Sequence, residues 1–167
     1  PQSKGQYQTL HQEPTYVMGD LQKVASRPNR VALLIIFQSS DAAGKDRPIR
    51  HVMSGVNPEG CDVHSFKRPS SDELEHDFLW RTTCVLPMRG HIGIFNRSYY
   101  EEVLIVRVHP AILQLANLSP ELLDEQSLWP ERFRSINDLE RHLHRHGTRV
   151  CRFFLLLSQE EHGMLFT

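Results

Sequence analysis

Residues Pro1 to Pro14 are polar and carry no periodicity, so the chain is read as opening with a loose arm. Between Thr15 and Ser26 a helical stripe appears, with Val17, Leu21 and Val24 on one side. The apolar run Val31 to Phe37 has the length and composition of a strand buried on both faces. A segment from about Lys45 to Ser54 returns to helical spacing, with Ile49, Val52 and Met53 inward, and the turn Asn57-Pro58-Glu59-Gly60 ends it.

Cys61 to Phe66 reads as a second strand. Ser70 and Glu73 then form a capping box that predicts a helix running to about Leu86, where Pro87 stops it. On that helix Leu74, Phe78 and Thr82 share one side, and Asp77 and Arg81 stand four apart on another, as a surface ion pair would. Gly90-His91 turns into a strand over Ile92 to Phe95. A second S-x-x-E box, Ser98 and Glu101, predicts a helix to Val106 in which Glu101 is a cap. Leu113 to Trp129 reads as a long connection. Pro130 opens an amphipathic helix with a buried stripe of Phe133, Ile136, Leu139 and Leu143, ending at Gly147. Arg149 to Leu157 is a fourth strand, and Ser158 to Glu161 starts a further helix.

Strands alternating with helices predict a mainly parallel sheet with right-handed crossovers. The expectation is one α/β domain over residues 15–167 behind the arm of residues 1–14. A length of 167 residues with 40% hydrophobic positions is enough for a real core. A formal net charge of -1 offers no basis for general nucleic-acid or membrane-surface binding. Cys61, Cys84 and Cys151 are too widely spaced for a zinc site or a disulfide framework, and Cys61 and Cys151 read as buried thiols in strands. No run reaches transmembrane length and no signal peptide opens the chain, so a cytoplasmic protein is expected.

The chemistry gathers where strands end. After the first strand comes Gln38-Ser39-Ser40-Asp41-Ala42-Ala43-Gly44-Lys45-Asp46, a small-residue loop leading into a helix. Such a loop cradles phosphate: backbone N–H groups and the helix N-terminus face the anion, and the lysine adds a point charge. Against the pattern G-x-x-x-x-G-K-[ST], Gly44 and Lys45 are in place. Ser39 takes the first glycine position, and Asp46 replaces the hydroxyl residue that ordinarily touches magnesium. The second strand ends at Lys67-Arg68 and the third at Asn96-Arg97, where Arg97 can pair with Glu101 or Glu102. In a parallel sheet ligands bind beyond the carboxyl ends of the strands. Several cations around one crevice are what a polyanion requires, and phosphoryl transfer needs positioning and charge neutralisation more than covalent chemistry.

Asp41 to Lys45, His51 to Pro58, Phe78-Leu79-Trp80-Arg81 and the run from Ile94 through Asn96-Arg97-Ser98-Tyr99-Tyr100 to Leu104 together resemble the polyphosphate kinase 2 family. The resemblance covers about Leu21 to Glu161. It implies a three-layer α/β/α P-loop kinase fold related to thymidylate kinase, and a magnesium-dependent transfer of phosphoryl groups from inorganic polyphosphate to nucleotides. Gly-Lys-Asp after the loop and Asn96 resemble the branch that accepts nucleoside mono- and diphosphates (AMP and ADP, with ATP as product or reverse substrate). The resemblance assigns phosphate and polyphosphate binding to Ala42, Ala43, Gly44, Lys45, Lys67, Arg68 and Arg97. It assigns catalysis to Asp41, Lys45, Asn96 and Arg97, magnesium to Asp41 and Asp46, and nucleotide binding to Asp77, Arg81 and Glu101.

Three departures from the family pattern bear on these expectations. Ser39 stands at a glycine position, and Arg47-Pro48 replaces a glycine-containing pair. Family members also continue with a lid carrying arginines and a final strand, so a shortened C-terminus is expected, with last strand and lid missing and self-association into a homo-oligomer. Two alternatives follow: a catalytically impaired module that binds polyphosphate or nucleotide, and an ATP-dependent nucleoside monophosphate kinase.

Overall fold

A computed structural model describes residues 31–39, 58–109, 111–113 and 118–155. The expected first helix, the phosphate loop from Ser40 with its following helix, and the helix expected from Ser158 lie outside the described residues. Among the described residues four strands form a parallel sheet in the order β2-β3-β1-β4: β1 is Ala32–Ser39, β2 Cys61–Ser65, β3 Ile92–Asn96 and β4 Thr148–Leu155. The helices are α1 (Ser71–Leu74), α2 (Trp80–Thr83), α3 (Glu101–Val108) and α4 (Glu125–Arg145), with 3-10 turns at Pro58–Gly60 and Pro120–Leu123. This is the expected α/β architecture.

Period-2 alternation explains why β1 is apolar throughout. Leu34 and Ile36 face one side, where Phe95, Tyr99, Val103, Ile136 and Leu143 bury them under α3 and α4. Ile35 and Phe37 face the other side with Ile92 and Ile94. Each such side chain contributes roughly 1.5–3 kcal/mol through burial. The strand also runs on through Ser39, two residues past the expected end, because β4 pairs with it as far as Ser39 opposite Leu155. Gly93 in the middle of β3 admits a close neighbour: a Cβ there would meet the Pro87 ring at 3.0 Å.

Several sequence expectations are corrected. The single helix from Ser70 to Leu86 is two short ones. The capping box forms, with Ser70 N–H donating to Glu73 and Glu73 N–H to Ser70 Oγ. Asp77 then interrupts the run: its Oδ1 accepts from Leu79 N–H at 2.9 Å and its carbonyl from Trp80 N–H. A carboxylate offering the backbone a local partner competes with helix continuation. Asp77 is therefore no helical partner of Arg81, which pairs with Glu102.

α3 begins at Glu101 with no side-chain cap, and Ser98 Oγ accepts from Tyr100 N–H. Glu101 is thus not a capping residue. α4 starts at Glu125 rather than Pro130, because Asp124 caps it by accepting from Gln126 N–H; Pro130 sits inside the helix. The start five residues earlier adds Leu128 and Trp129 to the buried side, which also holds Arg132, while Phe133 is 38% exposed. Ile136 and Leu143 are buried as expected. Gly147, at φ 88°, ends the helix in the left-handed conformation that glycine adopts freely. Cys151, expected buried, is exposed on β4, which is an edge strand among the described residues, and Phe153 and Phe154 are half-exposed beside it.

Candidate active site

Parallel pairing brings the carboxyl ends of β2, β3 and β1 side by side. Ser65 stands opposite Asn96, and Asn96 opposite Phe37. The ladder continues one step further on each side: Phe66 N–H donates to the Asn96 carbonyl and Arg97 N–H to the Phe37 carbonyl at 2.9 Å. That second bond holds Arg97 at φ 66°, a left-handed conformation costing a non-glycine residue about 1 kcal/mol or more. The strained turn sends the chain off the sheet into α3, placing Arg97 and Glu101 together at 3.5 Å.

Beyond these strand ends opens a cavity of about 400 Å³ that gathers Lys67, Arg68, Arg81 and Arg97, with Glu101 and Glu102 behind them and Ile105 and Ile112 on its apolar wall. Lys67 and Arg68 are exposed, and Arg97 is about one-third exposed, so their charges reach solvent. Four cations against two carboxylates, on the side of the sheet where ligands bind, suit a polyanion.

A second cavity of about 310 Å³ adjoins the first through Pro69, Arg81 and Glu102. Phe78, Leu74, Leu118, Leu122 and Leu128 wall it, and Glu73, Asp77, Glu121 and Glu131 rim it. Its acidic rim repels phosphate and accepts hydrogen bonds from N–H and hydroxyl groups. An apolar chamber with few polar anchors beside a cationic chamber has the form of a small-molecule site.

Between the chambers lies a buried ion network. Glu102 accepts from Arg132 at 3.0 Å and pairs with Arg81 at 3.7 Å, and the Arg132 guanidinium packs 4.9 Å over the Phe78 ring. Burial pushes the Glu102 carboxyl above the ordinary carboxylate range, and Arg132 and Arg81 pull it back in part. The same burial pulls Arg132 below its ordinary value against the pull of Glu102. Arg81 Nη1 also donates to the Lys67 carbonyl at 2.9 Å, so this network fixes the backbone that carries Lys67 and Arg68.

Of the residues expected at the site, Lys67, Arg68, Arg81, Arg97 and Glu101 meet in the cationic cavity, and Asp77 joins Arg81 at the second one. Asn96 ends β3 next to Arg97 and lines neither cavity. Asp41, Ala42, Ala43, Gly44, Lys45 and Asp46 lie outside the described residues. Three participants were not expected. Gln38 Nε2 donates to Glu101 Oε1, a contact that a polar residue at the end of an apolar strand could have signalled. Glu102 and Arg132 meet across 30 positions, and only Arg132's place between the buried Trp129 and Ile136 hinted at an inward arginine.

Mg²⁺ takes one or two carboxylates together with substrate phosphate oxygens rather than a protein cage. Among the described residues, which do not include Asp41 or Asp46, no group of three or more His, Cys, Asp or Glu converges for a metal. Among them, too, no helix is long and apolar enough to cross a membrane.

Comparison with known proteins matches residues 2–167 to the family model described as Polyphosphate kinase 2 (PPK2). The ADP-polyphosphate phosphotransferase of Rhodopseudomonas palustris is 56% identical over 165 residues, covering 99% of this chain and 57% of that protein. The AMP/ADP-polyphosphate phosphotransferase of Meiothermus ruber is 42% identical, covering 84% of this chain and 48% of that protein. The crystal structure of Polyphosphate Kinase 2 from Arthrobacter aurescens TC1 superposes with a TM-score of 0.81 at 32% identity, covering 99% of this chain and 56% of the other. The chain therefore spans about half the length of these relatives. A family match along almost all of its residues, joined to a strand-end cluster of cations, makes this chain a member of the polyphosphate kinase 2 family.

Proposed function

We propose that the protein transfers a phosphoryl group between inorganic polyphosphate and a nucleoside mono- or diphosphate. The observation that carries this reading is the convergence of Lys67, Arg68, Arg81 and Arg97 on one cavity at the carboxyl ends of parallel strands. The names of the relatives, polyphosphate phosphotransferases acting on ADP or AMP, support it.

In this reading the phosphates lie in the cationic cavity and the nucleoside in its apolar neighbour, where Asp77 accepts from the base or ribose and Arg81 stands at the junction. An acceptor phosphate oxygen attacks the terminal phosphorus of polyphosphate. One P–O bond forms, one anhydride P–O bond breaks, and the shortened chain leaves with the bond's electron pair. No protein nucleophile is needed. Lys67, Arg68 and Arg97 neutralise charge on the donor and on the phosphoryl in flight, and Lys45 from the loop after β1 joins them. Glu101 holds Arg97 in place. Mg²⁺ would be held by Asp41, with Asp46 the second carboxylate of that loop, and by phosphate oxygens; when bound it withdraws charge from the oxygens around the phosphorus.

The test is formation of ADP from AMP, and of ATP from ADP, with polyphosphate and magnesium. Arg97→Ala is expected to lower kcat by about 10²–10³-fold, the usual loss when a preorganised charge-stabilising group is removed. ATP offered as sole donor to AMP should serve poorly. Polyphosphate retention without turnover would mean a binding module instead.

A further inference from the structure

Gln38 is a polar residue at the end of an otherwise apolar buried strand, and only 5% of it is exposed. Burying an amide there needs a reason, since an unpaired one is costly. Its Nε2 donates to Glu101 Oε1, 63 positions along the chain, while Glu101 Oε2 faces Arg97 at 3.5 Å. A carboxylate only accepts, so the amide nitrogen has to be the atom that meets it. Both oxygens of Glu101 are thereby committed, one to each neighbour. The Glu101 side chain is 10% exposed and the Arg97 side chain 34% exposed, so the inner contact anchors and the outer one presents a cation to the cavity.

We infer that Gln38 is a positioning residue for phosphoryl transfer: it locks the Glu101 carboxylate, which in turn holds the Arg97 guanidinium at the cationic cavity. The chain links two structural supports of one site. Gln38 sits near the carboxyl end of β1, and Arg97 sits on the strained turn after β3. Without the amide, Glu101 can rotate about its side-chain torsions, and the long Arg97 contact follows it. Misplacement of a charge-stabilising group by about an ångström is enough to slow a reaction whose catalysis is largely positional. The inference rests on the transfer reading above.

The experiment compares the full-length protein with Gln38→Leu and Gln38→Glu in polyphosphate-dependent nucleotide phosphorylation. Thermal unfolding is followed on the same samples. Gln38→Leu is expected to lower kcat about tenfold, the equivalent of one lost hydrogen bond in the transition state, with KM for polyphosphate changed less than about twofold. Gln38→Glu keeps the shape but sets a carboxylate against Glu101, and two touching carboxylates repel unless they share a proton. The charged groups around that pair are Arg97, the neighbouring Glu102, and Lys67 and Arg68 across the cavity. Its activity relative to the parent should therefore fall as pH rises from about 5.5 to 8.5, in a range where the unfolding temperature shows the variant still folded.

No turnover in the parent itself would remove the transfer reading. Parental turnover with Gln38→Leu at the parent's kcat, or with a Gln38→Glu ratio flat in pH, would overturn the inference while leaving that reading intact. A Gln38→Leu variant too unstable to assay shifts the decision to the Gln38→Glu ratio alone.

Discussion

Removing Arg132 should expose how the site is held together. In Arg132→Met the Glu102 carboxylate, 13% exposed, loses its 3.0 Å partner and keeps only Arg81 at 3.7 Å. The backbone carbonyl of Glu102 loses the same guanidinium at 3.1 Å, and Phe78 loses the cation above its ring. Methionine replaces much of the arginine stem's apolar contact, so the change reports chiefly on the stranded charge. Breaking a buried pair by deleting one member costs about 3–5 kcal/mol. Because Arg81 stays, the expectation is the lower end, about 3 kcal/mol, or a Tm lowered by about 6–12 °C in a chain of this size.

Urea unfolding followed by tryptophan fluorescence measures this, and pH supplies the check on its cause. Burial already lifts the Glu102 carboxyl above its ordinary range, and Arg132 opposes that more strongly than Arg81 does. In the variant the folded state holds the Glu102 proton to still higher pH than the unfolded state, which releases it in the ordinary carboxylate range near 4.5. Folded molecules then bind the extra proton, so stability falls as pH rises through that window. The deficit relative to the parent should be smallest near pH 4–5 and full by pH 8. Adding Glu102→Gln, which removes the charge but keeps an acceptor for Arg81, should restore at least about 1 kcal/mol. A pH-independent deficit, or a double variant no more stable than Arg132→Met, would refute the stranded-carboxylate argument.

Two other groups give distinct signatures. Burial, reinforced by Glu140, holds the Tyr99 hydroxyl well above the ordinary tyrosine range, so the folded state keeps its proton when the unfolded chain ionises. Stability should fall as pH rises past about 10, and Tyr99→Phe should flatten that alkaline limb in urea midpoints while costing about 1 kcal/mol at pH 7. Burial and the neighbouring Asp62 push the Cys61 thiol up to about 11, whereas Cys84 and Cys151 are exposed. A brief pulse of alkylating reagent at pH 8, read by peptide mass spectrometry, should label Cys84 and Cys151 at least about tenfold faster than Cys61; equal rates would contradict the partial burial of Cys61.

The strands were legible because buried parallel strands are continuous apolar runs: Val31 to Phe37 and Ile92 to Phe95 could hardly be anything else. The cations at the strand ends were legible for a topological reason, since parallel pairing puts all carboxyl ends on one side. What escaped was decided by side chains acting on backbone. Asp77 reads as an ordinary helix-surface residue, yet its carboxylate takes the Leu79 N–H in a turn that leads into a new helix. Pro130 reads as a helix start, yet Asp124 supplies a better cap six residues earlier and the proline is absorbed within the opening turns. The Ser98–Glu101 box failed because Glu101 found a buried partner in Gln38 and a partly exposed one in Arg97, and no local pattern encodes a partner 63 positions away.

Adjacent glutamates at the start of α3 show why the site cannot be reduced to its cations. Consecutive helical residues point about 100° apart. Glu101 therefore reaches toward β1 and the Arg97 turn, while Glu102 reaches toward α2 and α4. One carboxylate sets the cation at the end of β3. The other, through Arg81 and its bond to the Lys67 carbonyl, sets the cations at the end of β2. Further along the same turn, Tyr99 and Tyr100 both donate to Glu140 on α4, which Arg152 of β4 also contacts at 3.0 Å. The segment from Arg97 to Glu102 is thus tied to β1, α2, α4 and β4 at once, and a displacement at any of these contacts reaches the cations on both strand ends. Under the proposed transfer, a site for a flexible polyanion has to bring its own order, and here that order would come from carboxylates and hydroxyls that need not touch the substrate.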